Sequence, residues 1–322
     1  LGLLVLGGLI WLGPGLETTG RVLTALLVLA LGLQVYRIFP YTVLAPREVL
    51  DAGPSGERFR LMEANVLMTN RNAEALLERV READPDLLLL VETDAWWQEA
   101  LRPLEDAYPY RLARPQDNTY GMLLYSRLPL ENAEVRFLIE DDVPSMWADV
   151  GLPSGARFEL IGVHPRPPRP DIGQDATKRD AELLVVARHV AERARPTIVA
   201  GDLNDVAWSH TTRLFQRLSG LLDPRKGRGM YNTFHAGHVF LRWPLDHVFF
   251  SDHFRVVSLR RLPAFGSDHF AMLVELSYEP QGRHVQETPT PEHDDAEEAR
   301  EKIEEGQEAA RDTTEEEKRR DR

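Results

Sequence analysis

Several apolar runs in this chain are each bounded by a carboxylate, and that recurrence constrains the fold more than any other feature. Leu87–Val91 runs into Glu92, and Thr197-Ile198-Val199 leads into Ala200-Gly201-Asp202-Leu203-Asn204-Asp205. Asp246-His247 precedes Val248-Phe249-Phe250, and Asp268-His269 precedes Phe270–Val274. A short apolar run between polar residues reads as a buried strand. A charge at the end of a buried strand needs a partner to offset its desolvation. Strand ends of this kind, repeated along a chain, form a site rather than a surface. Asp202 and Asn204, two residues apart, can face the same side of the chain. Such a pair can hold a reactive water and orient a phosphoryl oxygen.

The remaining pattern supplies the frame. Arg60–Asn65, Gly121–Tyr125, Arg157–Val163 and Arg255–Leu259 read as further strands. Asn72–Glu82, Thr93–Leu101, Asp175–Ala194 and Trp208–Leu218 read as helices, the second capped by Thr93 or Asp94. Strand and helix alternate early, and the last third is strand-rich. The expected class is α/β (α+β): a four-layer sandwich of two mixed β-sheets flanked by helices, over residues 58–277, preceded by N-terminal apolar helices.

Residues 1–36 are the most apolar stretch. Leu1–Leu12 holds only apolar residues and Gly, and Val22–Tyr36 is broken by Thr24, Gly32 and Gln34. This is too little polarity for a solvent-facing side. Residues 1–36 are expected to form a membrane hairpin whose first helix, opening on Leu, has lost its start. Buried helices of a soluble domain are the alternative. Residues 37–57, with Pro40, Pro46 and Pro54, read as a linker. From Gln281 onward 15 acidic residues meet 8 basic ones, so this segment carries -7 of the net charge of -13. It is expected to be a disordered acidic tail, with at most a frayed helix through Ala296–Ala310. The body is mildly acidic and shows no basic stripe, which argues against long nucleic acid without excluding a short strand. The absence of cysteine excludes disulfides, a thiol nucleophile and cysteine-based metal sites. No H-E-x-x-H or G-x-S-x-G pattern is present. No obligate protein partner is indicated.

Taken in order, Glu63-Ala64-Asn65-Val66-Leu67, Leu90-Val91-Glu92-Thr93, Gly162-Val163-His164-Pro165, Gly201-Asp202-Leu203-Asn204, Pro244-Leu245-Asp246-His247 and Gly266-Ser267-Asp268-His269 resemble the endonuclease/exonuclease/phosphatase superfamily. That group holds deoxyribonuclease I, abasic-site endonucleases, inositol-polyphosphate phosphatases and bacterial sphingomyelinases. The apolar start and the Pro-rich loop after His164 resemble its membrane-associated bacterial branch, which implies a lipid-bilayer partner and a place at the bacterial inner membrane. His164 stands where deoxyribonuclease-like members have His and abasic-site enzymes have Tyr.

The resemblance implies a Mg²⁺- or Mn²⁺-dependent phosphoesterase. It assigns Asn65, Glu92 and Asp268 to the metal, and His164, Asp202, Asn204, Asp246 and His269 to catalysis. Asp202 would orient or deprotonate the attacking water, and Asn204 would donate to a non-bridging oxygen. Asp246 would fix the tautomer of His269, which enters either as imidazolium or as neutral base. His164 would assist the leaving oxygen, favouring a phosphodiester over a monoester. A phosphomonoesterase of phosphoinositide-like substrates and a non-catalytic module are the alternatives. Arg166, Arg169, Trp96-Trp97 and Tyr231–Phe234 are weaker candidates for the rim, and His247 reads as structural.

Overall fold

The computed structural model describes residues 18–169 and 174–320, the side chains of 314–320 excepted. The first limb of the expected hairpin lies outside the described residues. The chain divides into two units, one running to Arg47 together with Lys226–Met230, the other comprising Glu48–Arg225 and Tyr231 onward.

In the first unit, α1 (Thr18–Ile38) is a 21-residue helix with no buried side chain. At 1.5 Å per residue it is about 31 Å long, close to the thickness of a bilayer's hydrocarbon core. By length and composition it can cross a membrane. This helix, the described part of the segment, is not a buried one, since Leu23, Leu29 and Val35 are all more than half exposed.

Among the described residues the second unit contains eleven strands in two sheets. They are β1 (Glu57–Asn65), β2 (Leu87–Val91), β3 (Tyr110–Arg114), β4 (Met122–Ser126), β5 (Leu130–Phe137), β6 (Pro144–Gly151), β7 (Arg157–Gly162), β8 (Thr197–Asp202), β9 (Asp246–Phe250), β10 (Phe254–Arg261) and β11 (Met272–Tyr278). One sheet has the order β10-β11-β1-β2-β4-β3 and the other β5-β6-β7-β8-β9. Both are mixed: β1–β2 and β7–β8 are parallel, and the remaining pairs antiparallel. The two-residue period of a strand divides the apolar side chains between layers. Leu87, Leu89 and Val91 join Leu160, Ile198, Ala200 and Val248 in the core between the sheets. Leu88 and Leu90 turn outward, toward Leu76, Leu77 and Val80 of α2 (Ala73–Ala83) and Trp97 of α3 (Ala95–Ala100). Behind the other sheet, Ile161 and Val199 meet Leu183 and Val186 of α4 (Thr177–Arg193) and Phe215 of α5 (His210–Ser219). This is the expected helix–sheet–sheet–helix sandwich.

Three departures from the sequence reading have local causes. Strands β3, β5 and β6 were not anticipated: β3 and β5 are largely exposed edge strands, and β6 opens on a proline. The supposed linker is anchored from Glu48 onward. Val49 is fully buried in the inter-sheet core, and Leu50 and Ala52 exchange backbone hydrogen bonds with Val256. The supposed disordered tail instead forms α6 (Asp295–Arg320). Ala299 and Ile303 pack with Leu184 and Leu214, and Gly306 lies so close to Ala181 that an added Cβ would come within 2.2 Å of it. Arg217 holds Asp295 through two bonds of 2.7 Å at the helix start. Small residues at helical spacing bury the stripe without the large apolar side chains that would have announced it.

Candidate active site

The cleft lies where strand ends of the two sheets meet. Asn65 ends β1 beside Val91 of β2, so Glu92 emerges next to it. Across the sandwich Asp202, the last residue of β8, pairs with Asp246, the first of β9. Only glycine fits at position 201, next to Asp202 in β8: its φ is +144°, and a Cβ there would meet the Val163 carbonyl oxygen at 1.9 Å. Glu92 and Asn204 both adopt left-handed backbone, at φ 60° and 51°. Such geometry costs on the order of 1–3 kcal/mol for a residue other than Gly, less for Asn, and concentrates at functional sites.

The polar atoms form one connected set. Asn65 Nδ2 donates to Glu92 Oε1 at 2.8 Å and to Asp202 Oδ2 at 3.0 Å, while its Oδ1 accepts from the Leu67 N–H. Asn65 thus bridges the two sheets and orients Glu92. The second oxygen of Glu92 accepts from the Met68 N–H. Burial pushes the Glu92 carboxyl up, and the nearby Asp268 charge adds to this while Asn65 opposes it. His269 Nδ1 donates to Asp246 Oδ2 at 2.7 Å, and its Nε2 lies 3.5 Å from Asp202 Oδ2. Burial alone would lower the His269 pKa, but Asp246 and Asp202 lift it to about 10, so the ring is an imidazolium at neutral pH. The same contact, against the cost of burial, holds Asp246 below its usual range. Burial pushes Asp202 up, with His269 opposing. His164 Nε2 stands 4.0 Å from Asp202 Oδ2, and burial keeps this imidazole below its usual pKa. Asn204 donates to the Pro165 carbonyl at 3.0 Å and faces the cleft, as does Asp268. The cleft measures about 350 Å³.

All eight expected residues therefore gather at one place, with Asp246 fully buried behind His269. Asp202, Asp246 and His269 each present a ligand atom within 4.8 Å of the others, a grouping that could hold a divalent cation only with the His269 ring deprotonated. Glu92 and Asp268 supply a second acidic pair on the more open side of the cleft.

Other candidates fall elsewhere. Arg166 is held by Glu140 and Asp142 and covers the Tyr120 ring. His247 bonds Arg225 and the Asp205 carbonyl. Trp97 is core, whereas Trp96 is exposed beneath Arg71. Phe234 alone of Tyr231–Phe234 lines the cleft.

Two residues were not singled out from sequence. Tyr120 lines the cleft with its ring 5.5 Å from that of His164. Glu63 is fully buried, and burial together with Asp246 and Asp202 drives its carboxyl well above the usual range. Its carboxyl lies beside that of Asp246, whose Oδ1 has no hydrogen-bond partner among the described residues. Its position two residues before Asn65 on one strand was the available signal.

The two sheets of the sandwich thus enclose, at their strand ends, a cluster of acids, amides and histidines. The profile of the Endonuclease/Exonuclease/phosphatase family matches residues 62–269, well over half the chain, and the chain belongs to that family. Among solved structures it is similar to the human Nocturnin catalytic domain with bound sulfate anion, at 19% identity and TM-score 0.56, covering 72% of this chain and 97% of that one. It is also similar to D. rerio TDP2 complexed with single strand DNA product, at 17% identity and TM-score 0.55, covering 68% of this chain and 99% of that one. An endonuclease/exonuclease/phosphatase from Beutenbergia cavernae has 18% identity and TM-score 0.54, covering 69% and 72%. At these identities the likeness shows the fold. Among curated proteins none matches the sequence.

Proposed function

We propose that the chain is a divalent-metal-dependent phosphodiesterase that works by in-line attack of water. One observation carries this reading: a buried carboxylate, Asp202, lies 3.5 Å from Nε2 of His269, whose Nδ1 a second buried carboxylate, Asp246, holds at 2.7 Å. Asp202 accepts the proton of the attacking water, a task suited to a carboxyl whose pKa is raised. His269 keeps its positive charge and donates from Nε2 to a phosphoryl oxygen. Asn204 turns its amide from the Pro165 carbonyl toward a second phosphoryl oxygen as negative charge builds there. His164 presents a ring N–H to the leaving oxygen, and the incoming phosphate charge raises its proton affinity.

Glu92 and Asp268 would hold Mg²⁺ or Mn²⁺, with Asn65 orienting the Glu92 carboxylate. The donor set fits: hard oxygen ligands, few in number, beside an open cleft that leaves room for water and phosphate. When bound, the cation supplies positive charge to the phosphoryl oxygens and lowers the pKa of water.

The reading includes a membrane tether at the bacterial inner membrane, supported by the length and exposure of α1. Recovery of the full chain in the supernatant after carbonate extraction would contradict it. Substrate class is tested by assaying the full chain in detergent against single-stranded DNA, phospholipid and phosphoinositide, with Mg²⁺ or with EDTA. Turnover of a phosphodiester that EDTA abolishes is expected. Release of phosphate from a monoester alone would shift the reading to a phosphomonoesterase.

A further inference from the structure

Beside the cleft a short loop presents apolar side chains to solvent. Val239 is 71% exposed, Phe240 96% and Leu241 57%. Its ends are closed by backbone bonding between Phe234 and Trp243. The stem is bonded to the catalytic turn itself. The Ala236 N–H donates to the Asp268 carbonyl at 2.6 Å, the Phe270 N–H donates to the Thr233 carbonyl, and the Phe234 ring lies 4.9 Å from that of His269. Two guanidinium groups flank the loop over the same ring: Arg242 at 4.9 Å and Arg261 at 4.4 Å from the Phe270 centroid. Neither meets a carboxylate among the described residues; Arg242 bonds carbonyls of its own loop, and Arg261 that of Asn232.

We propose that residues 237–243 are a lipid-docking loop that seats the mouth of the cleft on an anionic bilayer surface. An apolar tip flanked by two guanidinium groups that meet no carboxylate matches the boundary between acyl chains and anionic headgroups. Aliphatic Val239 and Leu241 favour insertion over the aromatic stacking that single-stranded nucleic acid uses. The bilayer is also near in sequence, since only residues 39–56 join the membrane-length helix to β1. Docking rests on the loop alone. Its consequence, that the substrate is a phosphodiester presented at the lipid surface, rests on the phosphoesterase reading.

The chain has no cysteine, so one introduced thiol labels cleanly. Val239→Cys carries an environment-sensitive nitrobenzoxadiazole dye, and Asp106→Cys, an exposed position, serves as reference. The full chain is reconstituted in phosphatidylcholine vesicles with or without phosphatidylglycerol. With phosphatidylglycerol the dye at 239 should emit several-fold more strongly, shift to the blue and be quenched by nitroxide-bearing lipid. The dye at 106 should not change. Adding Arg242→Glu, or Phe240→Ser with Leu241→Ser, should return the signal to that of the reference. Equal behaviour at 239 and 106 would overturn the proposal. So would a dye response only to a single-stranded oligonucleotide, or only to rising protein concentration in detergent. Hydrolysis of a soluble nitrophenyl diester, measured alongside, reads the phosphoesterase activity separately, and Phe240→Ser should leave it unchanged.

Discussion

The two sheets bring equal numbers of the expected side chains to the cleft, but the two sets differ in burial and bonding. From the six-stranded sheet come Asn65, Glu92, Asp268 and His269, and the Glu92 and Asp268 carboxylates remain half-open. From the five-stranded sheet come His164, Asp202, Asn204 and Asp246, of which all but Asn204 are buried. The first set offers hard anionic oxygens at an open rim, suited to a cation. The second surrounds His269 with buried carboxylates and fixes its charge. His269 crosses between them, and Asn65 crosses the other way through its bond to Asp202. Each sheet would thus carry one part of the proposed chemistry, and two side chains cross between them.

Substitutions should separate the two sets. Asp202→Asn keeps the size and removes the base, so turnover should fall by roughly 10²–10⁴-fold at any Mg²⁺ concentration. Full activity in that variant would break the division at its buried half. Glu92→Gln belongs to the open half: its loss should shrink as Mg²⁺ is raised, whereas equal loss at all concentrations would place Glu92 outside the cation site. Outside the cleft, Gly306→Val should force α6 away from Ala181 and cost about 1–3 kcal/mol in urea denaturation, with the chemistry of both halves unchanged.

The smallest expected effect is a difference in pH dependence. His247, behind the five-stranded sheet, has its pKa pushed down to about 3 by burial and Arg225. Unfolded, it takes a proton near pH ~6.5. The unfolded state then binds more protons as pH falls, so this group's contribution to stability declines from pH ~6.5 toward the folded value. His269 has the opposite sign: its contribution is complete below pH ~6.5 and is lost as pH rises toward its folded value of about 10. Urea midpoints measured across pH should therefore fall less steeply on the acid side in His247→Asn, and less steeply on the alkaline side in His269→Gln. Unchanged slopes would contradict both assignments.

What sequence made legible follows the same physics. Glu92, Asp202, Asp246 and Asp268 stood at the ends of apolar runs, where a charge is conspicuous. Tyr120, in the loop before β4, and Glu63, inside β1, escaped notice because a loop aromatic and a strand acid have many ordinary explanations, and only burial beside Asp246 distinguishes Glu63. The protonation of His269 depends on two carboxylates distant in sequence, Asp202 and Asp246, so no local pattern encodes it. Helix α6 was hidden by its alanines and glycine, whose contribution is close approach to Ala181 rather than apolar bulk.

The central claim is a cation-dependent diester hydrolysis in this cleft. Its most direct test is the initial rate of the full chain on bis(4-nitrophenyl) phosphate as Mg²⁺ is removed by EDTA and then restored. The expected result is loss of turnover with EDTA and its return with Mg²⁺ in the native chain, with Asp202→Asn inactive throughout. Turnover that persists in EDTA, or that survives Asp202→Asn, would contradict it.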